Sequence, residues 1–283
     1  QIFGTPVTIL SDTTFKGGNI SLSRIIGGGP TFDQNVEFDF TGTTTIQNAI
    51  AGDQFINIVD LTVIGDAGLN GTIATTGNQS YGGDVGLLGN TTLTATSGAI
   101  SLGTGGEVVG VTMNETLTLG DALQTGDVTL GGASEVTLGG LNIGAGAFDL
   151  SIEAGDNVAV TINSPVEVLN NGTLTLTSNV SDSSSVIAFT GGLNATEPSS
   201  IGLAAIVGTD NSSINLGNVT YTGPASGDNT FAVLTTGDFL LGENFTGGDI
   251  TIESLDTSDG LLIYHGGDTG SLTVQKNATV SGT

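Results

Sequence analysis

The apolar residues of this chain recur two positions apart, in short runs that end at glycine, asparagine or aspartate. A period of two predicts strands that turn one face inward and the other face outward. Threonine fills many of the outward positions and favours strands because it is β-branched. No window of ordinary length has the period of a helix, so the pattern predicts an all-β chain. Between Thr92 and Thr177 the predicted inward residues are Leu93 and Ala95, Ile100 and Leu102, Val109 and Val111, Leu117 and Leu119, Val128 and Leu130, Val136 and Leu138, Phe148 with Leu150 and Ile152, Val158 with Val160 and Ile162, Val166 and Val168, and Leu174 and Leu176.

The spacing of these runs narrows the architecture. A β-sandwich, a barrel and a β-solenoid all have strands that begin roughly 8 to 12 residues apart. Here the runs are short, the turns between them are rich in glycine, and the pattern changes little along the chain, as in stacked coils. We therefore predict a parallel β-helix (β-solenoid) with about 20 to 25 residues in each coil. Tandem antiparallel β-sandwiches are the alternative, and they would need longer turns and a core richer in aromatic residues.

Charge excludes several classes of partner. The chain has 283 residues with 28 acids and only three bases, Lys16, Arg24 and Lys276, for a formal net charge of -25. A surface so poor in Lys and Arg repels nucleic acid and anionic membranes. No run reaches the roughly 20 apolar residues that cross a bilayer, so we predict no membrane insertion.

Cysteine is absent, so neither a disulfide nor a cysteine metal site can form. The cysteine content therefore gives no information about the cellular compartment. The chain begins at Gln1 rather than at Met. Two interpretations are open: a mature secreted chain whose signal peptide has been removed, or a segment of a larger protein. The first predicts an extracellular or cell-surface protein.

One segment resembles a known repeat. The stretch GNQSYGGDVGLLGNTTLTATSGAISLGT, Gly77–Thr104, is similar to the repeat unit of the large filamentous-haemagglutinin-like surface proteins of bacteria. The shared pattern is Q-x-Y-x-G-x-V-x-L, then TTLT, then a glycine-flanked I-x-L strand, and it continues more loosely over Leu117–Thr177. The resemblance implies a right-handed β-helix that is secreted or surface-exposed and serves in adhesion or as a structural fibre.

The two ends differ from the middle. Residues 1–64 are less regular and hold six of the 11 Phe, whereas residues 65–283 form the predicted solenoid body, richer in aromatic residues again from about 220. Residues 1–64 are either a cap or an assembly segment, because an uncovered strand edge recruits another chain. Strand addition would then proceed through the first strand-like residues, and self-association into a homopolymer is the predicted partnership. The candidate assembly residues are Ile2, Phe3, Val7, Ile9 and Phe15.

Asparagine precedes Ser or Thr by two positions at 12 of the 21 asparagines, about twice the number that chance predicts from the share of Ser and Thr. Asparagine at a turn followed by threonine in a strand produces this pattern without any glycan, so both interpretations stay open. The motif nevertheless makes these residues candidates for N-glycosylation of a surface protein. They are Asn19, Asn70, Asn78, Asn90, Asn114, Asn171, Asn179, Asn194, Asn211, Asn218, Asn244 and Asn277.

Residues for catalysis are scarce. A β-helical polysaccharide lyase needs a strong base beside its acids, and the predicted central coils contain no Lys or Arg; His265 is the single histidine. We therefore expect neither an enzyme nor a bound organic cofactor. Calcium is the one cofactor hypothesis, because Ca²⁺ binds the carboxylate and carbonyl oxygens that the GGD, TGD and SDG turns supply. No ligands are assigned to calcium; the acidic candidates for a catalytic site in the central coils include Asp121, Asp127, Asp149, Glu153 and Asp156, which lie beside turns.

Together these features predict an extracellular structural protein, a subunit of a cell-surface fibre, sheath or filament formed by end-to-end β assembly. An adhesin segment that attaches to cell-surface glycans is the alternative. A polysaccharide-active β-helix enzyme is a third and weaker one.

Overall fold

A computed structural model shows an all-β chain whose strands pair in parallel. It describes residues 1–28, 33–47, 55–132, 134–155, 157–169, 173–178 and 185–196, and beyond these only strands between residues 202 and 280. Every strand pair in these residues is parallel, and no helix occurs among them. The fold is a β-solenoid, as the spacing of the apolar residues predicted, and the antiparallel sandwich alternative is wrong. The direction of coiling stays a prediction.

Between Ile2 and Ala154 the chain makes about seven turns, and each turn crosses three faces. The strands of these turns are β1 (Ile2–Phe3), β2 (Val7–Ile9), β3 (Thr13–Gly17), β4 (Ile20–Leu22), β5 (Ile25–Gly27), β6 (Gln34–Phe40), β7 (Thr44–Ile46), β8 (Phe55–Ile56), β9 (Ile58–Val63), β10 (Ala67–Thr75), β11 (Gln79–Tyr81), β12 (Val85–Ala95), β13 (Ile100–Leu102), β14 (Val108–Gly110), β15 (Thr116–Leu119), β16 (Val128–Gly132), β17 (Val136–Leu138), β18 (Gly140–Ile143) and β19 (Leu150–Ala154).

Parallel pairing continues beyond Ala154. The strands there are β20 (Ala159–Ile162), β21 (Val166–Val168), β22 (Thr173–Ser178), β23 (Val186–Phe189), β24 (Leu193–Thr196), β25 (Gly202–Val207), β26 (Ser213–Asn215), β27 (Val219–Thr222), β28 (Asn229–Thr235), β29 (Asp238–Leu240), β30 (Phe245–Thr246), β31 (Ile250–Glu253), β32 (Leu262–Ile263), β33 (Leu272–Val274) and β34 (Thr279–Val280).

The three faces are built from strands that recur once in each turn. The third face is a 12-stranded sheet that begins at β3 and ends at β33. The long strands β10 and β12 bend around a corner, so they join the first and second faces into one sheet. Partner residues on successive turns lie from 18 positions apart, as in Ala67 and Val85, to 30 positions apart, as in Ile25 and Phe55. The corner loops absorb this variation while the sheets keep their register.

The core is a column of aliphatic rows between the three faces. On the third face, one row of register partners begins with Val36 and Leu61 and continues through Ile100, Val128 and Leu150 on later turns. All five side chains are buried. Between Leu61 and Ile100 the row contains the buried Gln79. The other turns add an aliphatic residue, which removes apolar surface from water without requiring a globular centre.

On β14 the inward-pointing positions are shifted by one residue from the prediction. Val109 and Val111 were expected to point inward, but Val111 is 61% exposed and Val108 is buried. The sequence Glu-Val-Val-Gly-Val offers two phases with equal alternation. Pairing of Val108 with Val85 and Val136 selects the other one, because those two residues already lie in the same buried row. The remaining inward residues predicted between Leu93 and Leu176 are buried.

The segment that resembles the known repeat, Gly77–Thr104, spans about one turn. Gln79 on β11 pairs with Ile100 on β13, so the chain returns to the same face 21 residues later. Gln79 and Tyr81, the Q-x-Y of the repeat, are both buried. The Gln79 amide Nε2 donates to the carbonyl oxygens of Thr94 at 2.7 Å and Ile73 at 3.1 Å, and the Tyr81 hydroxyl donates to Gln79 Oε1 at 3.0 Å. Burial raises the pKa of the Tyr81 hydroxyl, so it stays a donor.

The sheets run without a break across residue 64, the predicted boundary of the amino-terminal segment. The β7 strand pairs with β10, and β9 pairs with β11. The first turns hold several aromatic residues in the core, and there Phe15 stacks on Phe38 with ring centroids 5.4 Å apart. The aromatic side chains predicted to thicken the core beyond residue 220 lie outside the described residues.

Candidate functional site

Within the described residues, the first coil, which we define as β1, β2 and β3, has a neighbouring coil on one side. Its inward side chains Phe3, Val7 and Phe15 are partly buried and pack against the core. The inward residues of the next coil, such as Ile20 and Ile25, are buried.

Each strand of the first coil has one edge that faces the second coil and one edge that faces away from it. Within the described residues β1 pairs with β4, β2 pairs with β5 and β3 pairs with β6, and each of the three has that one partner. The hydrogen bonds of β2 show which backbone groups are used. Val7 N donates to Arg24 O at 3.0 Å, and Ile9 O accepts from Gly28 N at 2.7 Å.

Backbone groups alternate in direction along a strand of a parallel sheet. Because Val7 and Ile9 face the second coil, the N–H and C=O groups of Thr8 face away from it. On β3, Gly17 O accepts from Thr41 N at 3.0 Å, so the groups of Thr14 and Lys16 face away in the same manner. Among the residues that the structure describes, these backbone groups face no partner strand, and such a row is a template on which another strand can add.

The predicted assembly residues divide into two groups. Phe3, Val7, Ile9 and Phe15 point inward and form the end of the core, with Ile9 buried and the other three partly buried. Ile2 is 85% exposed and lies on the outer surface of β1. Assembly through these residues stays a prediction, and the sequence pattern did not indicate the backbone groups of Thr8, Thr14 and Lys16. Those groups are independent of side-chain type and carry no sequence signal.

A polar cavity of about 300 Å³ lies on the third face beside the first coil. Asp12, Asn35 and Asp60 form one wall as successive members of a corner column. Asn35 N donates to Asp12 Oδ1 at 2.9 Å, and Asp60 N donates to Asn35 Oδ1 at 3.2 Å. Thr14 and Glu37 also line the cavity. Hydroxyl, amide and carboxylate groups of this kind can hydrogen-bond to sugar hydroxyls.

A second corner column carries only acids on four successive turns. The register of β10, β12, β14 and β17 aligns the residues that precede these strands, Asp66, Asp84, Glu107 and Glu135. Asp84 N donates to Asp66 Oδ1 at 3.2 Å, and Glu107 N donates to Asp84 Oδ1 at 2.9 Å. Neighbouring coils lie about 4.8 Å apart, so these negative charges are close together. Asp84, in the GGD turn of the sequence, thus supplies a carboxylate that binds the backbone of the next coil.

The acids singled out for catalysis have local hydrogen-bond partners. Asp121 Oδ1 accepts from Leu123 N at 2.8 Å, Asp127 Oδ1 accepts from Asp149 N at 3.3 Å, and Glu153 Oε1 accepts from Ser151 Oγ at 3.0 Å. Asp156 and His265 lie outside the described residues. Within the described residues no group of three or more His, Cys, Asp or Glu is placed to hold a metal ion. The calcium and enzyme predictions stay predictions.

Three sequon asparagines have a structural role at corners. Asn19 Oδ1 accepts from Thr43 N at 2.8 Å, Asn78 Oδ1 from Ala99 N at 2.9 Å, and Asn90 Oδ1 from Thr116 N at 3.0 Å. In each case the next coil supplies the N–H group, so the corner itself favours asparagine before a strand. Glycosylation at these residues stays a prediction.

The other sequon asparagines are distributed as follows. Asn114 is exposed, and Asn70 and Asn194 are half-buried. Asn194 Nδ2 donates to Glu167 Oε1 at 2.8 Å on the neighbouring turn of the second face. Six more lie outside the described residues, namely Asn171, Asn179, Asn211, Asn218, Asn244 and Asn277.

Comparison of the chain with family models, with curated proteins and with solved structures found no significant match. The structure alone therefore defines the class, which is a parallel β-solenoid. The resemblance of Gly77–Thr104 to filamentous-haemagglutinin-like repeats stays a hypothesis about family. In the described part of the chain, no helix has the length and apolar character needed to cross a bilayer.

Proposed function

We propose that this chain is an extracellular structural protein, a subunit of a cell-surface fibre, sheath or filament that grows by end-to-end β assembly. The observation that carries the proposal is the continuous stack of parallel coils, in which one described coil offers the next its inward apolar side chains and a row of backbone groups, as β3 does for β6. A coil of a second copy could add to such a surface in the same way.

The body of the solenoid suits a mechanical role. Its described part consists of continuous parallel sheets over a continuous aliphatic core, with corners held by hydrogen bonds between successive turns. The excess of acids over bases, 28 to three, keeps such a rod soluble because separate rods repel each other. Surface location is supported by the resemblance to filamentous-haemagglutinin-like repeats, and immunolabelling of intact cells of the source organism tests it.

Proline substitution at the free edge tests assembly. Proline removes an N–H group, and Thr8 and Thr14 direct theirs away from the second coil, so the internal ladder is retained. We expect the unmodified chain to form fibres visible by negative-stain electron microscopy, and the double variant Thr8→Pro with Thr14→Pro to stay dispersed. The matched control is Thr8→Ala with Thr14→Ala, which keeps both N–H groups and should form fibres. Dispersed short rods of the unmodified chain at all concentrations would contradict the proposal.

A second candidate function is attachment to cell-surface glycans, which the polar cavity beside the first coil favours. Its size, about 300 Å³, suits one or two sugar rings, and Asp12, Asn35 and Asp60 line it with hydrogen-bonding groups. Binding to a panel of immobilised glycans, abolished by Glu37→Ala and unchanged by Glu107→Ala far along the chain, is the expected result for an adhesin. A panel without any bound glycan would remove this candidate.

A further inference from the structure

We propose that the cavity on the third face binds a sugar with a free amino group, as one residue of a linear amino-sugar polymer that lies along the solenoid axis. This inference rests on the second candidate function, attachment to glycans, and adds to it the class of glycan and the side chain that recognises it. The cavity, of about 300 Å³, lies on the outer surface of three successive paired strands, β3, β6 and β9.

A β-bulge shapes the cavity. The register of β6 against β9 shifts between Gln34 and Val36, so β9 holds one extra residue at this point. A bulge redirects the side chains of its strand, and bulges recur beside active sites. Here the bulge brings Asp60 to the cavity wall, where Asp60 N donates to Asn35 Oδ1 at 3.2 Å.

Three carboxylates line the cavity, and that of Glu37 is the one available to a ligand. Asp12 Oδ1 accepts from Asn35 N at 2.9 Å, and Asp60 Oδ1 accepts from Asn78 N at 2.6 Å, so these two acids join neighbouring coils. Glu37 is half-buried on the outer surface of β6, and its carboxylate accepts no hydrogen bond within the described part of the chain. It can therefore accept from a charged donor of a ligand.

The surroundings of Glu37 indicate what such a ligand carries. Thr14 on β3 and Thr62 on β9 are its register partners, so a hydroxyl group lies on each side of the carboxylate. Lys16, two positions beyond Thr14, is already paired with Asp39 at 2.6 Å, and none of the described lining residues is a base. A protonated amine suits the carboxylate and ring hydroxyls suit the threonines. An amino sugar with a free amine carries both.

A row of hydroxyl groups continues from the cavity along the third face. On each turn from β9 to β22, Ser or Thr occupies the same register position on the outer surface. Neighbouring coils lie about 4.8 Å apart, so a linear chain along the axis meets one hydroxyl group on every turn. The net charge of -25 repels an anionic polysaccharide and attracts a cationic one. The members of the row are Thr62, Ser80, Ser101, Thr129, Ser151 and Thr175.

Calorimetric titration with two oligosaccharides tests the amine. Glucosamine hexamers and N-acetylglucosamine hexamers share linkage and length, but only the first carry free amines, which are protonated in mildly acidic buffer. We expect the glucosamine hexamer to bind about tenfold more tightly than the acetylated one, because its amine forms a charge-assisted hydrogen bond. Glu37→Gln should lower the affinity for the glucosamine hexamer about tenfold. The matched control is Glu107→Gln on the second corner column, which removes the same charge and should bind like the unmodified chain.

A second pair of variants tests the row. Ser101→Lys places a positive charge in the row two turns beyond Thr62, so it should weaken binding of the glucosamine hexamer and leave binding of the glucosamine dimer unchanged. Thr118→Lys adds the same charge to the outer surface of the second face and should change neither. Circular dichroism on every variant confirms that it folds.

Equal affinity for the two hexamers, or an unchanged affinity of Glu37→Gln, would overturn the amino-sugar inference and leave attachment to other glycans standing. A lysine oligopeptide that binds as tightly as the glucosamine hexamer, and that loses affinity with Glu37→Gln, would show recognition of positive charge alone and would overturn it as well. Equal effects of Ser101→Lys and Thr118→Lys would remove the polymer from the inference. If neither hexamer nor any member of the glycan panel binds, the attachment candidate itself is wrong.

Discussion

At the scale of single residues, Glu115 shows how a loop in this fold is held without a metal or a disulfide. The Glu115 side chain is 7% exposed and accepts hydrogen bonds from the Thr112 hydroxyl at 2.5 Å, Thr112 N at 3.0 Å and Asn114 N at 3.2 Å. Met113, between these donors, has a positive φ of 61°. The Thr112 hydroxyl, followed by the backbone N–H groups, lowers the pKa of Glu115 below its ordinary value.

Glu115→Gln should destabilise the chain by about 1 to 2 kcal/mol at neutral pH, since the charged acceptor is lost. A lowered folded pKa means that this contribution is complete above the ordinary value of 4.5 and disappears as the pH falls through the folded value. Thermal unfolding at pH 7 and near pH 3 measures the difference between variant and unmodified chain. The difference should shrink at the lower pH. An equal difference at both pH values would contradict the assigned role of the carboxylate.

At the scale of elements, the column of Asp66, Asp84, Glu107 and Glu135 combines two opposing effects. Each carboxylate that accepts a backbone N–H group joins two turns, as Asp84 does with Glu107 N at 2.9 Å. The same stacking sets like charges about one strand spacing apart, which is repulsive in water of low ionic strength. The first corner column avoids this in part, because Asn35 and Asn78 alternate with Asp12 and Asp60.

Asp84→Asn should therefore stabilise the chain at low salt by up to about 1 kcal/mol, since it keeps the Oδ1 acceptor and removes one charge. The gain should fall as NaCl is added, because salt screens exposed charges. Asp84→Ala is the matched control; it also removes the charge but leaves Glu107 N without its acceptor, and it should be less stable than Asp84→Asn. Thermal unfolding over a salt series measures both. Loss of stability for Asp84→Asn in the presence of CaCl₂ would instead support the calcium hypothesis.

The same elements show how far the sequence alone could lead. Alternation of apolar residues was enough to predict the strands. Its repetition in short runs between glycine-rich turns predicted the solenoid, because the inward residues of one coil then stack on those of the next. Alternation failed at Val109 and Val111, where the neighbouring strands β12 and β17 choose the phase. It also gave no sign of the free backbone groups of Thr8 and Thr14, since every residue has such groups and only the pairing shows which are used.

The acids at the corners are visible in the sequence as GGD and GGE, but the sequence alone indicates only separate turns. Register was the missing information, because corner loops of unequal length conceal that Asp84 and Glu107 occupy equivalent positions. The buried Q-x-Y pair is a similar case, because its amide and hydroxyl groups bond to each other and to the backbone inside the coil. Both features would follow from aligning the turns by their inward residues before comparing their corners.

At the scale of the whole molecule, each coil contacts only its neighbours, so stability should vary along the axis. Strands with a coil on both sides, such as β13 and β16, lose more water-exposed surface than β1, β2 and β3. Hydrogen exchange followed by mass spectrometry at low concentration should therefore show the fastest exchange in the first coil. Raising the concentration should slow exchange there selectively if copies assemble through that coil. Equally slow exchange in the first coil and in the central coils would contradict the inference that the first coil is less stable.

The hydrogen bonds between successive coils lie along the long axis of the molecule, and this direction decides how a solenoid responds to force. A pull on the two ends loads all the bonds of one junction at the same time, on three faces together. A pull sideways on a corner opens them one after another, as a zipper opens. Such a rod is therefore strong in tension and weak in peeling, and a fibre made of these rods would fail at its joints or from its flanks before its shafts lengthen.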